Sequence, residues 1–242
     1  MTKNVLLFPA LLVSLFLSCV IIPACSKSDK TSYTGSIDGE KPGKIPGMGE
    51  TPGTLQGTQF KLPAGVSIKG EIRGNDDGRS SKDCVFDGTG YWVNVKMTLQ
   101  TDSTTTGPVT VEFPPGLVIV SASEGFQHGL LIERILVTVP PVMPGPGSNE
   151  CQVSLLMYCL NTARKPSDIT ATYKFGPITN SPLIKDFMSR LAGKKTLYSD
   201  YVEGDPEWHT NQENIQEALW GLTDGHGLSD YDLEVISKLP GR

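Results

Sequence analysis

From about residue 60 to 178 the chain alternates short apolar runs with turn residues, and the period within each run is two. "VSIKGEI" (66–72), "YWVNVKMTL", "PVTVEF", "GLVIVS", "GLLIERILVTV", "CQVSLLMYCL" and "TATYKF" are rich in Val, Ile, Thr and aromatic residues, with Gly, Pro, Asn or Asp clusters between them. Runs of this kind read as strands. Six or seven strands without intervening helices predict a mainly β region, an antiparallel Ig-like β-sandwich over residues 59–180. The double prolines after "VTVEF" and "VTV" place those strand ends at an edge, because proline cannot donate to a ladder.

After residue 180 the period becomes helical. "SPLIKDFMSRLAGK" offers Ser181 as N-cap and Pro182 at the first helical position, with Leu183, Phe187 and Leu191 at four-residue spacing. A second helix is predicted from Asn211 to Thr223, with Ile215, Ala218, Leu219 and Leu222 as its apolar stripe. "SDYDLEVISKLPG" reads as a third, with a Ser229/Asp232 capping box and Pro240-Gly241 as its stop. Helices this short need a surface to pack on. The predicted fold is therefore the sandwich followed by a small C-terminal α-helical subdomain, residues 181–242, packed against it.

The N-terminal quarter follows neither pattern. Lys3 precedes "VLLFPALLVSLFLSCVIIPA", an uncharged apolar run that ends in "IIPACSKSD". Residues 1–24 are expected to act as an export leader. The aliphatic and small residues before Cys25 resemble the lipobox of bacterial lipoproteins, which implies that Cys25 is lipid-modified. Cys19 is the rival cysteine, and an uncleaved signal anchor the alternative. Several acyl chains on one cysteine, at about 0.8 kcal/mol per buried methylene, would hold the chain to a membrane, at the outer membrane or cell surface. Residues 25–58 are crowded with Gly, Pro, Ser, Thr and charge, which predicts a flexible stalk.

Composition narrows the partners. The chain has 242 residues and a net charge of −5, and no basic stripe interleaved with aromatics runs along it, so nucleic acid is not an expected partner. The histidines His128, His209 and His226 lack metal-ligand spacing, and no cofactor or metal is expected. "TDGHGLSDYDLE" lacks the ligand order of a calcium loop and reads as a turn followed by a helix cap. Walker, dinucleotide and G-x-S-x-G motifs are absent, and no nucleophile-base pairing suggests a hydrolase. Trp92 in its alternating strand reads as core, and "EGFQHG" is a candidate ligand-contact loop.

In an oxidising compartment disulfides are favoured. Apart from Cys19 and Cys25 the chain has Cys84, Cys151 and Cys159, and three cannot all pair within one chain. Cys84, in a predicted loop, and Cys151, at a strand start, are the candidate disulfide. Cys159 is then the odd one out. Period two puts Val153, Leu155, Met157 and Cys159 on one face of their strand, the inward one. On the second helix Gln216 and Trp220 are four apart and share a face.

"MYCLN" and "IQEALWGLTDG" together resemble the two signatures of bacterial thioester domains, surface adhesin modules of Gram-positive bacteria. The resemblance covers these two short motifs. It implies that the Cys159 sulfur and the Gln216 side chain form an internal thioester, with Tyr158 and Trp220 as flanking aromatics. It also implies a β-rich part carrying the cysteine and a helical part carrying the glutamine. The module would be a latent acyl donor for a host or neighbouring-cell surface protein with a reactive amine, acting once and not as a turnover enzyme. Such a bond needs a site closed to water, for which Met157, Leu219 and Trp220 are the candidate wall. The competing reading makes Cys159 a structural core thiol in a non-reactive Ig-like lipoprotein that serves as a binding or scaffolding module.

Overall fold

The computed structural model describes residues 32–76, 78–80, 83–142 and 149–242. The leader, Cys19 and Cys25 lie outside them. In chain order the described elements are β1 (Gly57–Gln59), β2 (Val66–Gly74), β3 (Asp83–Gly88), β4 (Val93–Thr101), β5 (Val109–Phe113), β6 (Leu117–Ser121), β7 (Gly129–Leu130), β8 (Ile135–Val139), β9 (Glu150–Cys159) and β10 (Thr172–Thr179). Then come α1 (Pro182–Leu191), a single 3-10 turn at Tyr198–Asp200, α2 (Pro206–Thr223) and α3 (Asp230–Lys238). The protein is mainly β, with antiparallel sheet and a few C-terminal helices.

The expected open sandwich is corrected by one strand. β10 pairs antiparallel with β6 along one edge, from Tyr173↔Ser121 to Ile178↔Leu117, and with β2 and β1 along the other. The order β10-β2-β4-β9-β7-β6 therefore returns to β10, a six-stranded closed barrel. Closure needs local bends. The β10 register shifts between Phe175 and Ile178, across Gly176-Pro177, and the β2 register shifts between Lys69 and Arg73, where Gly70 has φ +78°. Bulges and a left-handed glycine are how a twisted ladder turns such a corner. A second, two-stranded sheet, β5–β8, lays Val111, Phe113, Val137 and Val139 on the barrel's core.

Strands β1 and β3 are the elements that the alternation did not predict, and β3 is the longer. It runs parallel to β9, pairing Val85↔Val153 through Gly88↔Leu156. Its sequence, DCVFDG, is short and flanked by charge, so it carries little periodic signal. Conversely "GLLIERILVTV" divides into β7 and β8, with Glu133 and Arg134 in the break; Glu133 accepts a hydrogen bond from the Thr196 hydroxyl at 3.0 Å.

Strand β9 separates two apolar cores. Its alternate residues Cys151, Val153, Leu155, Met157 and Cys159 join Val93, Val95, Met97 and Leu99 of β4 in the first core. Tyr158, and Leu160 just beyond the strand, point the other way, into a second core with Ile184, Phe187, Ile215, Leu219 and Leu222 of the helices. A β-strand exposes opposite faces at successive residues, so one strand can serve both. Each buried aliphatic side chain contributes about 1.5–3 kcal/mol, and this shared wall fixes the helices to the sheet.

Segment 32–58 is not the flexible stalk that its composition predicts. Ile45 and Met48 are only 2 % and 1 % exposed and belong to the second core. The Thr34, Gly43 and Gly49 amides donate to the carbonyls of Leu228, Leu222 and Leu160. Glu40 reinforces the start of α1, accepting from the Ser181 hydroxyl at 2.5 Å and from the Leu183 amide at 3.2 Å. Two well-placed apolar side chains and a series of backbone hydrogen bonds offset the ordering entropy that an averaged composition says cannot be met. Thr31–Arg242 is one compact unit, so sheet and helices are not separate bodies.

The helices follow their local signals. Ser181 caps α1 by accepting from the Ile184 amide at 3.2 Å, and the Ser229/Asp232 capping box opens α3. Helix α2 begins five residues earlier than predicted, at Pro206, with Asp205 as its N-cap. Trp208 adds a buried first turn to the stripe.

Candidate functional site

The last residues of β9 lose their β4 neighbour. The β4–β9 ladder ends at Val93↔Met157, and the chain that leads into β4 passes at Gly90 so close to the Met157–Tyr158 backbone that there is no room for a Cβ. Leu160 donates its amide to His128 on the β7 side. By the alternation of a pleated strand, the N–H and C=O of Cys159 then face the vacated β4 side.

Gln216 of α2 fills that place. Its Oε1 accepts from the Cys159 amide at 2.7 Å and its Nε2 donates to the Cys159 carbonyl at 2.8 Å. One turn earlier Gln212 accepts from the Tyr158 hydroxyl and donates to the Thr196 carbonyl at 3.3 Å. Four-residue spacing puts both carboxamides on one face of α2, so consecutive β9 residues are gripped by consecutive turns. Gln216 is 1 % exposed and Cys159 0 %.

The Cys159 sulfur is free, buried, and held by the residue two positions on. The Asn161 amide donates to Sγ at 3.2 Å, and the thiol lies 3.2 Å from the Asn161 carbonyl, to which it donates. Asn161 is itself pinned: its Oδ1 accepts from the His128 amide at 3.0 Å, and its Nδ2 donates to Gly49 O at 2.5 Å. Burial pushes the thiol pKa up to about 12, against the opposing effects of the Asn161 amide and the Trp220 indole. The negative charge of Asp224 raises it further and Arg164 lowers it. At neutral pH this sulfur is a protonated thiol.

An aromatic group covers the junction. Trp92 and Trp220 meet at 6.1 Å between ring centroids, Tyr91 stacks on Trp92 at 5.0 Å, and Tyr91 meets His209 edge-on at 5.7 Å. The Tyr91 hydroxyl donates to Glu213 at 3.3 Å. The indole N–H groups of Trp92 and Trp220 are both buried, and neither makes a hydrogen bond. Trp92 is only partly buried against the first core, so it forms part of this cover as well as of the core.

No family model, curated protein or solved structure matches the chain. Cys159, Gln216 and Trp220 come together. Tyr158 does not flank the sulfur: alternation turns its ring into the helix-side core, where its hydroxyl meets Gln212. Leu219 packs in that same core and Met157 in the other, so only Met157 and Trp220 of the expected wall share the thiol's cluster. Cys84 and Cys151 form a disulfide between β3 and β9, with Cα atoms 5.5 Å apart. Cys151 lies eight residues before Cys159 on an extended strand, about 26 Å away.

Among the described residues no group of His, Cys, Asp and Glu could hold a metal ion. His128 of the "EGFQHG" loop accepts from the Ser121 amide at 3.0 Å through Nδ1 and contacts Arg164 through Nε2 at 3.1 Å. It also lines a cavity of about 400 Å³ with Leu55, Gln59, Lys174 and Phe175, into which neither Cys159 nor Gln216 opens. Among the described residues no helix is long and apolar enough to cross a membrane.

Sequence reasoning missed Gln212, Asn161 and Gly49. Gln212 had a signal, since it stands one turn from Gln216 on the same stripe. Asn161 closes the motif "MYCLN" but gave no sign of its side-chain hydrogen bonds to His128 and Gly49, which come together only in the fold, and Gly49 had no signal, because it acts through backbone atoms that every residue carries.

Proposed function

We propose that Cys159 and Gln216 condense to an internal thioester, and that the protein is a surface adhesin of thioester-domain type, tethered through a lipid on Cys25. The observation that carries this reading is the pair of hydrogen bonds holding the Gln216 carboxamide against the residue that bears the buried thiol. In the first step the Cys159 sulfur attacks the Gln216 side-chain carbonyl carbon. A C–S bond forms, the C–N bond breaks, and the thiol proton leaves with the nitrogen as ammonia.

In the second step a primary amine on a neighbouring surface protein attacks the same carbon. A C–N bond forms, the C–S bond breaks, and the amine's surplus proton returns to the sulfur. The partner stays joined through an amide, so the protein acts once and does not turn over. Burial of the site keeps water from hydrolysing the thioester before the amine arrives.

A second reading rests on the same hydrogen bonds. Gln216 satisfies the free edge of β9 and docks α2, while a thiol with a pKa pushed up to about 12 stays inert. The protein is then a non-reactive lipoprotein that binds or scaffolds. Intact mass of the full chain separates the two. The thioester predicts a mass one ammonia below the sequence value, restored with one added methylamine after incubation and never seen in Cys159→Ala. A full-mass chain whose Cys159 is alkylated stoichiometrically on unfolding would leave only the docking role.

A further inference from the structure

We propose that the indole N–H of Trp220, together with the amide of Asn161, forms a donor cradle that stabilises the Cys159 sulfur as it departs during acyl transfer. This rests on the thioester reading. When an amine attacks the Gln216 carbonyl carbon, the new C–N bond forms as the C–S bond breaks, and the electron pair of the broken bond goes to Sγ. The proton lost by the amine neutralises it. The indole lends a hydrogen bond and is not consumed.

A sulfur in an apolar site is a poor home for negative charge, so the departure that releases the acyl group is slow unless donors face it. The Asn161 amide, 3.2 Å from Sγ, is one such donor. Trp220 lies one turn beyond Gln216 on α2, so the register that delivers the carboxamide also delivers the indole. Its ring packs against the core that contains Cys159 and is braced by Trp92.

The Trp220 Nε1–H is buried, has no oxygen or nitrogen partner beside the neutral Cys159 thiol, and lies close enough to the sulfur to favour its charged form. A donor idle in the ground state and satisfied only when charge develops stabilises the transition state selectively. The other ionisable groups that bear on this sulfur are Asp224, Arg164 and Tyr173. Of these, Asp224 caps α2 one turn beyond Trp220 and disfavours charge on the sulfur, so it opposes the two donors, whereas Arg164 favours that charge.

The test uses the full chain and two variants at position 220. Trp220→Phe keeps an aromatic ring without the N–H, and benzothienylalanine at 220 keeps the indole shape with sulfur in place of nitrogen. Release of the Cys159 thiol by methylamine is followed in time. The pKa of the released thiol is then read from the pH profile of its alkylation. Both variants are expected to show the ammonia deficit, to release the thiol about tenfold more slowly or worse, and to carry a thiol of higher pKa. Wild-type rate and wild-type thiol pKa in the folded benzothienylalanine variant overturn the proposal, whatever Trp220→Phe does, because packing alone then explains any effect of Phe. A full-mass wild-type chain overturns the thioester reading itself and this role with it, and is recognised before any variant is made.

Discussion

The carboxamide of Gln216 stands opposite the backbone of Cys159, with Oε1 2.7 Å from the amide nitrogen and Nε2 2.8 Å from the carbonyl oxygen. A helix side chain thus takes the place that the next residue of β4 would hold in the ladder. Both of its polar groups are used at once, which makes the position intolerant of even an isosteric change.

Gln216→Glu replaces the Nε2 donor by a carboxylate facing a carbonyl in a buried site. The expected loss is about 3 kcal/mol in urea unfolding, since a buried charge is left without a partner. Glu217→Gln, on the exposed side of the same turn, is expected to stay within about 0.5 kcal/mol of wild type.

Gln212 and Tyr158 form the neighbouring grip, and their coupling is measurable. Gln212→Leu leaves the Tyr158 hydroxyl buried without its acceptor, an expected cost of about 1–3 kcal/mol. In a double-mutant cycle with Tyr158→Phe the two changes should be less than additive by about 1 kcal/mol. Additive effects would show that the hydroxyl and carboxamide do not interact.

Met48, in the segment whose composition suggests a stalk, is 1 % exposed in the helix-side core. Met48→Ala is expected to destabilise the protein by about 2–4 kcal/mol, measured by denaturant unfolding. A stalk residue would give no change.

The Cys84–Cys151 disulfide spans 67 positions of sequence. Replacing both cysteines by serine should lower stability by about 4 kcal/mol, from the entropy returned to the unfolded chain. Cys159 should be unaffected in its hydrogen bonds, and its alkylation in the folded state should remain as slow as before.

Burial, with Arg164 and Lys174 nearby, lowers the His128 pKa from 6.5 to about 4. The unfolded chain therefore binds the additional proton between these values, and stability that is complete above pH 6.5 is lost as pH falls toward 4. A loss on the order of 2 kcal/mol is expected between pH 7 and pH 4, and His128→Asn should flatten that part of the profile in urea melts.

The sequence by itself determined most of the elements and their faces. The strand runs, the caps at Ser181 and Ser229/Asp232, the inward side of Cys159 and the helical register of Gln216 with Trp220 all follow from local periods of two and 3.6 and from side chains that satisfy nearby amides. Such features depend on residues a few positions apart, and side-chain chemistry reports them directly.

What only the tertiary structure decided is how edges and backbones meet. The closure of β10 onto β6 and β2, the parallel pairing of β3 with β9, the packing of residues 32–58, and the turning of Tyr158 away from the thiol rest on long-range contacts. Many of these are made by amides and carbonyls that every residue shares, so no pattern of side chains announces them. The meeting of Gln216 with Cys159 belongs to both: sequence placed a carboxamide on a helix and a thiol on a strand, and the loss of the β4 neighbour after Met157 left the gap in which the two are held.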